Sequence, residues 1–132
     1  MIQYKEVKTF DTSQLNDLFA SVGWGYGNNL RRLASILENS DTVVSAWDDD
    51  RLIGLVNALS DGVHIVYLHY VLIHGEYQGR GIGKTLMERI MENYRQCRHM
   101  ILISNNDKAD FFAKCGFEIS QGASAMEIRR RS

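Results

Sequence analysis

The chain has 132 residues, 45% of them hydrophobic and 23% charged, with a formal net charge of -1 at pH 7. That length fits one domain, residues 1–132, burying about two-thirds of the surface its unfolded form exposes, and excludes a second. The near-neutral charge excludes a global field for nucleic acid or an anionic membrane, so neither is expected as a partner and binding has to come from a local site.

Residues 2–7, IQYKEV, alternate like a half-buried strand and do not read as a signal peptide. From Thr12 the spacing turns helical, with Leu15, Leu18, Phe19 and Val22 on one side and Thr12 or Ser13 placed to cap the start. GWGYGNN breaks this helix, and a second one over residues 29–38 carries Leu30, Leu33, Ile36 and Leu37. TVVSAW (42–47) and RLIGLVNALS (51–60) are rich in strand-forming residues, and Asp48, Asp49 and Asp50 between them favour a turn, which predicts a hairpin. Asp61 and Gly62 make a second turn into VHIVYLHYVLI (63–73), too apolar on both faces for an edge strand and so expected at the sheet centre.

HGEYQGRGIGKT (74–85) packs four glycines into a short loop, after which Ile82, Leu86, Ile90, Met91 and Tyr94 mark a helix ending near Arg98. MILIS (100–104) reads as a buried strand, residues 108–114 as a short helix stopped by Gly116, and FEIS (117–120) and AMEIR (125–129) as two last strands. The order βααβββαβαββ places the chain in the α/β class, a mixed sheet with about four helices on its faces. Cys97 and Cys115 lack the spacing of a disulfide framework, and no apolar run reaches the ~18–20 residues of a membrane span. A reducing cytoplasm is the expected compartment.

Dense glycines let a backbone approach a phosphate, and three loop types compete for this stretch. A triphosphate loop, G-x-x-x-x-G-K-[ST], fits Gly83, Lys84 and Thr85 but needs a glycine where Gln78 stands. A dinucleotide fingerprint, G-x-G-x-x-G, starting at Gly79 and Gly81 needs a glycine at Lys84. What fits is Q-x-x-G-x-G, with Gln78, Gly81 and Gly83, between a buried strand and an amphipathic helix.

That pattern resembles the acetyl-coenzyme A signature of the GNAT superfamily of N-acetyltransferases. A second stretch, NNDKADFFAKCGF (105–117), is similar to the family's next signature through Asn105, Phe111, Lys114, Gly116 and Phe117. The resemblance covers nearly the whole chain and implies the GNAT-like acyl-CoA N-acyltransferase fold, a mostly antiparallel sheet whose central strands splay. It implies acetyl-CoA (coenzyme A) as the acyl carrier, with its diphosphate held by Gln78, Gly79, Arg80, Gly81, Ile82, Gly83 and Lys84. The backbone of Val71, Leu72 and Ile73 would pair with the pantetheine arm where residues 100–104 diverge, and Asn105 and Phe112 would line the same cofactor. SVGW (21–24) resembles a loop that walls the acceptor pocket in small bacterial members, which makes Trp24 and Tyr26 acceptor contacts. Helix N-termini support anion binding, since their first four N–H groups lack partners, but the dipole supplies only about 0.3–2 kcal/mol. Micromolar affinity needs roughly 8 kcal/mol, so the strand contacts have to supply most of it.

An alkylamine with a pKa near ~10.4 is neutral in only about one molecule in a few thousand at pH 7, so the reaction needs a base or a desolvating pocket. The strand YLHYVLIH offers Tyr67, His69 and His74, and strict alternation puts Tyr67, His69, Val71 and Ile73 on one face with His74 on the other. His69 is the favoured base, directly or through water, while His74 is expected at the surface and Glu76 is a weaker alternative. The arylalkylamine N-acetyltransferase branch carries two histidines at the positions that match Tyr67 and His69. A backbone N–H near 71–73 suffices for the oxyanion.

The family's usual thiolate-protonating tyrosine falls on Phe112, and its frequent proline before the loop falls on Gly75. Water, Tyr67 or Cys115 then has to protonate the thiolate, or it leaves unassisted. No metal spacing is present, and Arg129, Arg130 and Arg131 lack the aromatics of a nucleic-acid patch. The expected partner is a small-molecule or peptide amine, with the protein a monomer or homodimer. An acyl-CoA-binding module without catalysis and a nucleotide-triphosphate binder are the rival readings.

Overall fold

The computed structural model describes residues 1–24 and 29–130; Tyr26, expected at the acceptor pocket, lies outside them. The chain forms two compact units, Met1–Leu102 and Ile103–Ser132.

In the first unit, β1 (Ile2–Lys5) is followed by α1 (Thr12–Ser21), α2 (Leu30–Glu38), β2 (Thr42–Asp48), β3 (Arg51–Ser60) and β4 (Ile65–Ile73). A 3-10 turn (Gly75–Tyr77), α3 (Ile82–Glu92) and β5 (His99–Leu102) complete it. The sheet order is β1-β2-β3-β4-β5. The first three pairings are antiparallel, with short turns joining β2 to β3 and β3 to β4 while α1 and α2 stand between β1 and β2, and β4–β5 is parallel because α3 crosses between them. In the predicted hairpin, Asp49 takes the left-handed conformation (φ 53), which a short polar side chain tolerates. β4 lies inside the sheet, as its apolar sequence requires.

That strand starts at Ile65 and not at residue 63. The Asp61 carboxylate accepts the N–H groups of Val63, His64 and Ile65 at 2.9, 2.9 and 3.2 Å, which diverts them from a ladder. Those bonds pull the Asp61 pKa down to about 2.

One sheet face buries Leu15, Leu18 and Phe19 of α1 and Leu33 and Leu37 of α2 against Val43, Trp47, Leu52, Leu55 and Leu72. α3 covers the other face with Leu86, Met87 and Ile90. A Cβ at Gly54 would stand 3.0 Å from Ile73 Cδ1 and 3.2 Å from Leu86 Cδ1, so glycine there permits the close approach of β4 and α3. α3 ends at Glu92, short of the expected 98, because Asn93 and Tyr94 tighten into bonds to Ile90 and Met91 three residues back. The Tyr94 hydroxyl then anchors to Asp41 at 2.5 Å, and desolvation with that bond raises its pKa to about 12.

The second unit holds a 3-10 turn (Asn106–Lys108) and α4 (Ala109–Lys114), after which Gly116 at φ 102 stops the helix as expected. Phe112 packs against Phe111 and Phe117, at 5.1 and 6.1 Å between ring centroids. The strands expected over 117–120 and 125–129 do not form. Ile119, Met126 and Ile128 stand exposed there; strand propensity is realised only where a neighbouring strand supplies the ladder and a covered face. Among the described residues no helix is long and apolar enough to cross a membrane.

Candidate active site

The site begins at an irregularity that alternation could not show. β3 and β4 pair as Val56 with Val71 and Ala58 with Leu68, so Asn57 stands opposite both His69 and Tyr70. Two residues against one is a β-bulge. The fully buried Asn57 accepts the Tyr70 N–H at 2.7 Å and donates to Ser40 Oγ at 3.0 Å, satisfying the donor that the bulge takes out of the ladder. Replacing Asn57 by Leu is expected to cost about 1–3 kcal/mol, because the buried bonds from the Tyr70 N–H and to Ser40 Oγ are both lost, and urea titration measures it.

The bulge resets which side chains share a face. Residues that pair across a sheet lie on the same side, so Val71 follows Val56, and Ile73 follows Gly54 toward Leu86 of α3. Tyr70 and Leu72 pack instead with the α1–α2 core. The expectation of one face shared by Tyr67, His69, Val71 and Ile73 is therefore corrected: Tyr67 and His69 keep company, at 6.0 Å between rings, and Val71 and Ile73 lie opposite. The extra residue puts Tyr70 beside His69, with ring centroids 4.1 Å apart. Trp24, 39% exposed, completes this aromatic patch at 6.3 Å from both Tyr70 and Phe19. His69 is exposed at its edge, yet desolvation by its neighbours lowers its pKa below the usual 6.5. Its imidazole is consequently neutral at pH 7 and able to accept a proton.

Beyond the bulge β4 has one open edge. Pairing with β5 ends at Leu68 and Leu102, so among the described residues no strand faces 69–73 on that side. Pairing thus stops where the splay is expected. The His74 N–H bonds to Ile53 O at 2.8 Å, which by the alternation of antiparallel ladders turns the N–H and C=O of Val71 and Ile73 away from β3. The Ile73 carbonyl accepts from Gln78 Nε2 at 3.1 Å, tying the loop glutamine to this edge.

Gln78, Gly79, Arg80 and Gly81 are exposed, and the two glycines share φ 81, a conformation costly for most other residues. Gly81 precedes α3, whose first turn carries no acidic side chain and no side-chain cap. Ile82 is buried and anchors the helix, while the amides of its first turn, with Gly83 and the exposed Lys84, suit an anion.

At the loop entry, His74 is 3% exposed, correcting its expected surface position. Its Nδ1 accepts the Glu76 N–H at 3.1 Å and its Nε2 lies 3.3 Å from Asp17 Oδ1. Arg51 Nη2 contacts Glu76 Oε2 at 2.9 Å, and Arg51 Nε contacts Asp17 Oδ2 at 3.0 Å, with Arg51 first among the causes that lower the Asp17 pKa. Glu76 is thus an ion-pair partner, which weakens its case as a base. Tyr77 donates to Asp48 Oδ2 at 2.6 Å, a bond that raises its own pKa.

In the second unit, Asn105 is exposed at the start of the 3-10 turn with no side-chain capping bond, and Phe112 is buried among phenylalanines. No group of three His, Cys, Asp or Glu residues is placed to hold a metal among the described residues. Sequence reasoning missed Asn57, Asp17 and Arg51. Only Asn57 left a signal, as an amide inside an apolar strand.

A family model described as Acetyltransferase (GNAT) family matches residues 10–117. The uncharacterized ycf52-like N-acetyltransferase of Prochlorococcus marinus is 30% identical over 122 residues, spanning 88% of this chain and 67% of that protein. A GNAT family acetyltransferase from Streptococcus pneumoniae TIGR4 superposes with a TM-score of 0.81 at 24% identity, covering 100% of both chains. Aminoglycoside N-acetyltransferase AAC(6')-Iy, solved in complex with CoA, gives a TM-score of 0.74 at 16% identity, covering 100% of this chain and 96% of its own, a likeness of fold.

Proposed function

Because the chain belongs to the acetyltransferase (GNAT) family, we propose that it moves an acetyl group from acetyl-CoA to a primary amine, small molecule or peptide, by direct attack within a ternary complex. The observation that carries this reading is the continuity of the open β4 edge with an uncapped helix N-terminus, joined by the Gln78 contact to Ile73. The residues fit the cofactor: outward amides of Val71 and Ile73 suit an extended amide-bearing arm, and the α3 N-terminus suits a diphosphate. Bound there, acetyl-CoA supplies an activated acyl group on a thiol leaving group.

His69, neutral and beside the aromatic patch, accepts the proton of the incoming amine directly or through water. Trp24 and Tyr70 give the acceptor an apolar wall, on which a cation also binds favourably. The outward N–H of Val71 donates to the developing oxyanion. Tyr67, whose ring lies beside His69, protonates the thiolate in place of the hydroxyl Phe112 lacks.

Thiol release with acetyl-CoA and an amine panel tests the proposal. Coenzyme A binding without turnover on any amine would instead support the non-catalytic module that Phe112 suggests. The pH profile gives a second check. The reactive form of His69 exists above its lowered pKa and is lost as pH falls through it, so with an acceptor amine already neutral at pH 5 the acidic limb should lie below pH 6.5. His69→Gln should abolish that limb.

A further inference from the structure

We propose that His74 is a positioning residue whose buried ring pins the entry of the glycine loop to α1 and β3 and so sets the cofactor-binding amides. The inference rests on the loop being the coenzyme A diphosphate site. Its ground is the way the loop is held. A Cβ added at Gly79 or Gly81 meets nothing within 4 Å, so side-chain packing around those two glycines does not fix the loop. Its placement comes from the two ends, α3 through buried Ile82 and the segment 74–78 through polar contacts.

His74 is the centre of that second anchor. Because Nδ1 accepts the Glu76 N–H, the neutral ring carries its proton on Nε2, which faces Asp17 Oδ1 on α1. Arg51 Nη2 approaches Nε2 to 3.0 Å, donor against donor, and the pair is held by the carboxylate common to both, Asp17, while the Glu76 carboxylate holds Arg51. One ring thereby caps the 3-10 turn and joins it to a helix and to the start of β3. The next residue reinforces the join: the Gly75 N–H donates to Ser21 Oγ at 3.1 Å. A Cβ on Gly75 would stand 3.0 Å from Ser21 O, so glycine there permits the close approach of the loop entry to α1.

Three surface ion pairs could form such a cluster without consequence, each contributing about 0–1 kcal/mol. A nearly inaccessible imidazole with both nitrogens engaged is different, since its removal leaves the Glu76 N–H, Asp17 and Arg51 to rearrange together. The loop entry would then loosen while His69, in the bulge, keeps its place.

The test measures coenzyme A affinity by calorimetry, alongside steady-state kinetics, for wild type, His74→Ala, His74→Asn, Asp17→Asn and the double variant with His74→Ala. Coenzyme A should bind His74→Ala at least about tenfold more weakly, with kcat and acceptor KM within about threefold of wild type. His74→Asn, able to accept the Glu76 N–H but too short for Asp17, should recover part of the loss. Asp17→Asn should weaken binding about threefold and add little to His74→Ala, as expected for one connected unit. Wild-type affinity in His74→Ala, or independent multiplication of the two losses, overturns the pin. Should His74→Ala fail to fold, Asp17→Asn decides alone, and unchanged affinity there overturns it. Failure of wild type to bind coenzyme A removes the cofactor reading itself, a separate outcome that also overturns the pin.

Discussion

Substituting Ala for His69 is expected to lower kcat by about 10²–10⁴-fold while changing coenzyme A affinity less than about threefold. The imidazole lies among Tyr67, Tyr70 and, through Tyr70, Trp24, whereas the edge amides proposed for the cofactor belong to the backbone of Val71 and Ile73. Truncating a side chain on the aromatic side leaves those amides in register, because the ladder partners Val56 and Gly54 are untouched. Loss of proton acceptance should therefore appear in turnover and not in binding. Equal activity of the Ala variant across pH 5 to 9 would remove His69 from the mechanism.

Gly81→Asp should weaken coenzyme A binding by about 100-fold, roughly 2.7 kcal/mol, with a loss of stability of only about 1 kcal/mol from the strained backbone. Aspartate is among the few residues that tolerate φ near +81, and a Cβ at this position meets no atom within 4 Å. Placed at the start of α3, where no side-chain cap exists, its carboxylate would accept the free amides itself and repel a diphosphate. Gly81→Asn is the control: it caps similarly but carries no charge, so a loss below about tenfold is expected. Calorimetry with coenzyme A gives the affinities and thermal melting the stability. Equal binding by wild type and Gly81→Asp would place the diphosphate elsewhere.

Much of this site was legible in the residues. The glycine loop, the strand before it and the helix after it were read from type and spacing, since left-handed turns demand glycine and amphipathic helices repeat their apolar face. The family model over residues 10–117 agrees with the resemblance drawn from Gln78, Gly81 and Gly83. The resemblance placed a splay between β4 and β5, and their pairing stops at Leu68 and Leu102. Where reasoning from alternation failed, it failed for one physical cause. A period of two assumes an unbroken ladder, and the His69–Tyr70 bulge opposite Asn57 breaks it. The same limit removed the last two strands, whose exposed Ile119, Met126 and Ile128 have the composition of a strand without the neighbour that makes one.

The sequence by itself determined the chemistry on offer: an imidazole at His69, a glycine loop before a helix, and no hydroxyl at Phe112. Those depend on what each side chain is and on its near neighbours along the chain. Only the tertiary structure decided which side of the sheet each group faces and what holds the loop. Asn57 meets Ser40 and Tyr70, and Asp17 meets Arg51 and His74, across separations that no local pattern encodes, and a hydrogen bond between distant residues exists only once the fold has brought its two ends together.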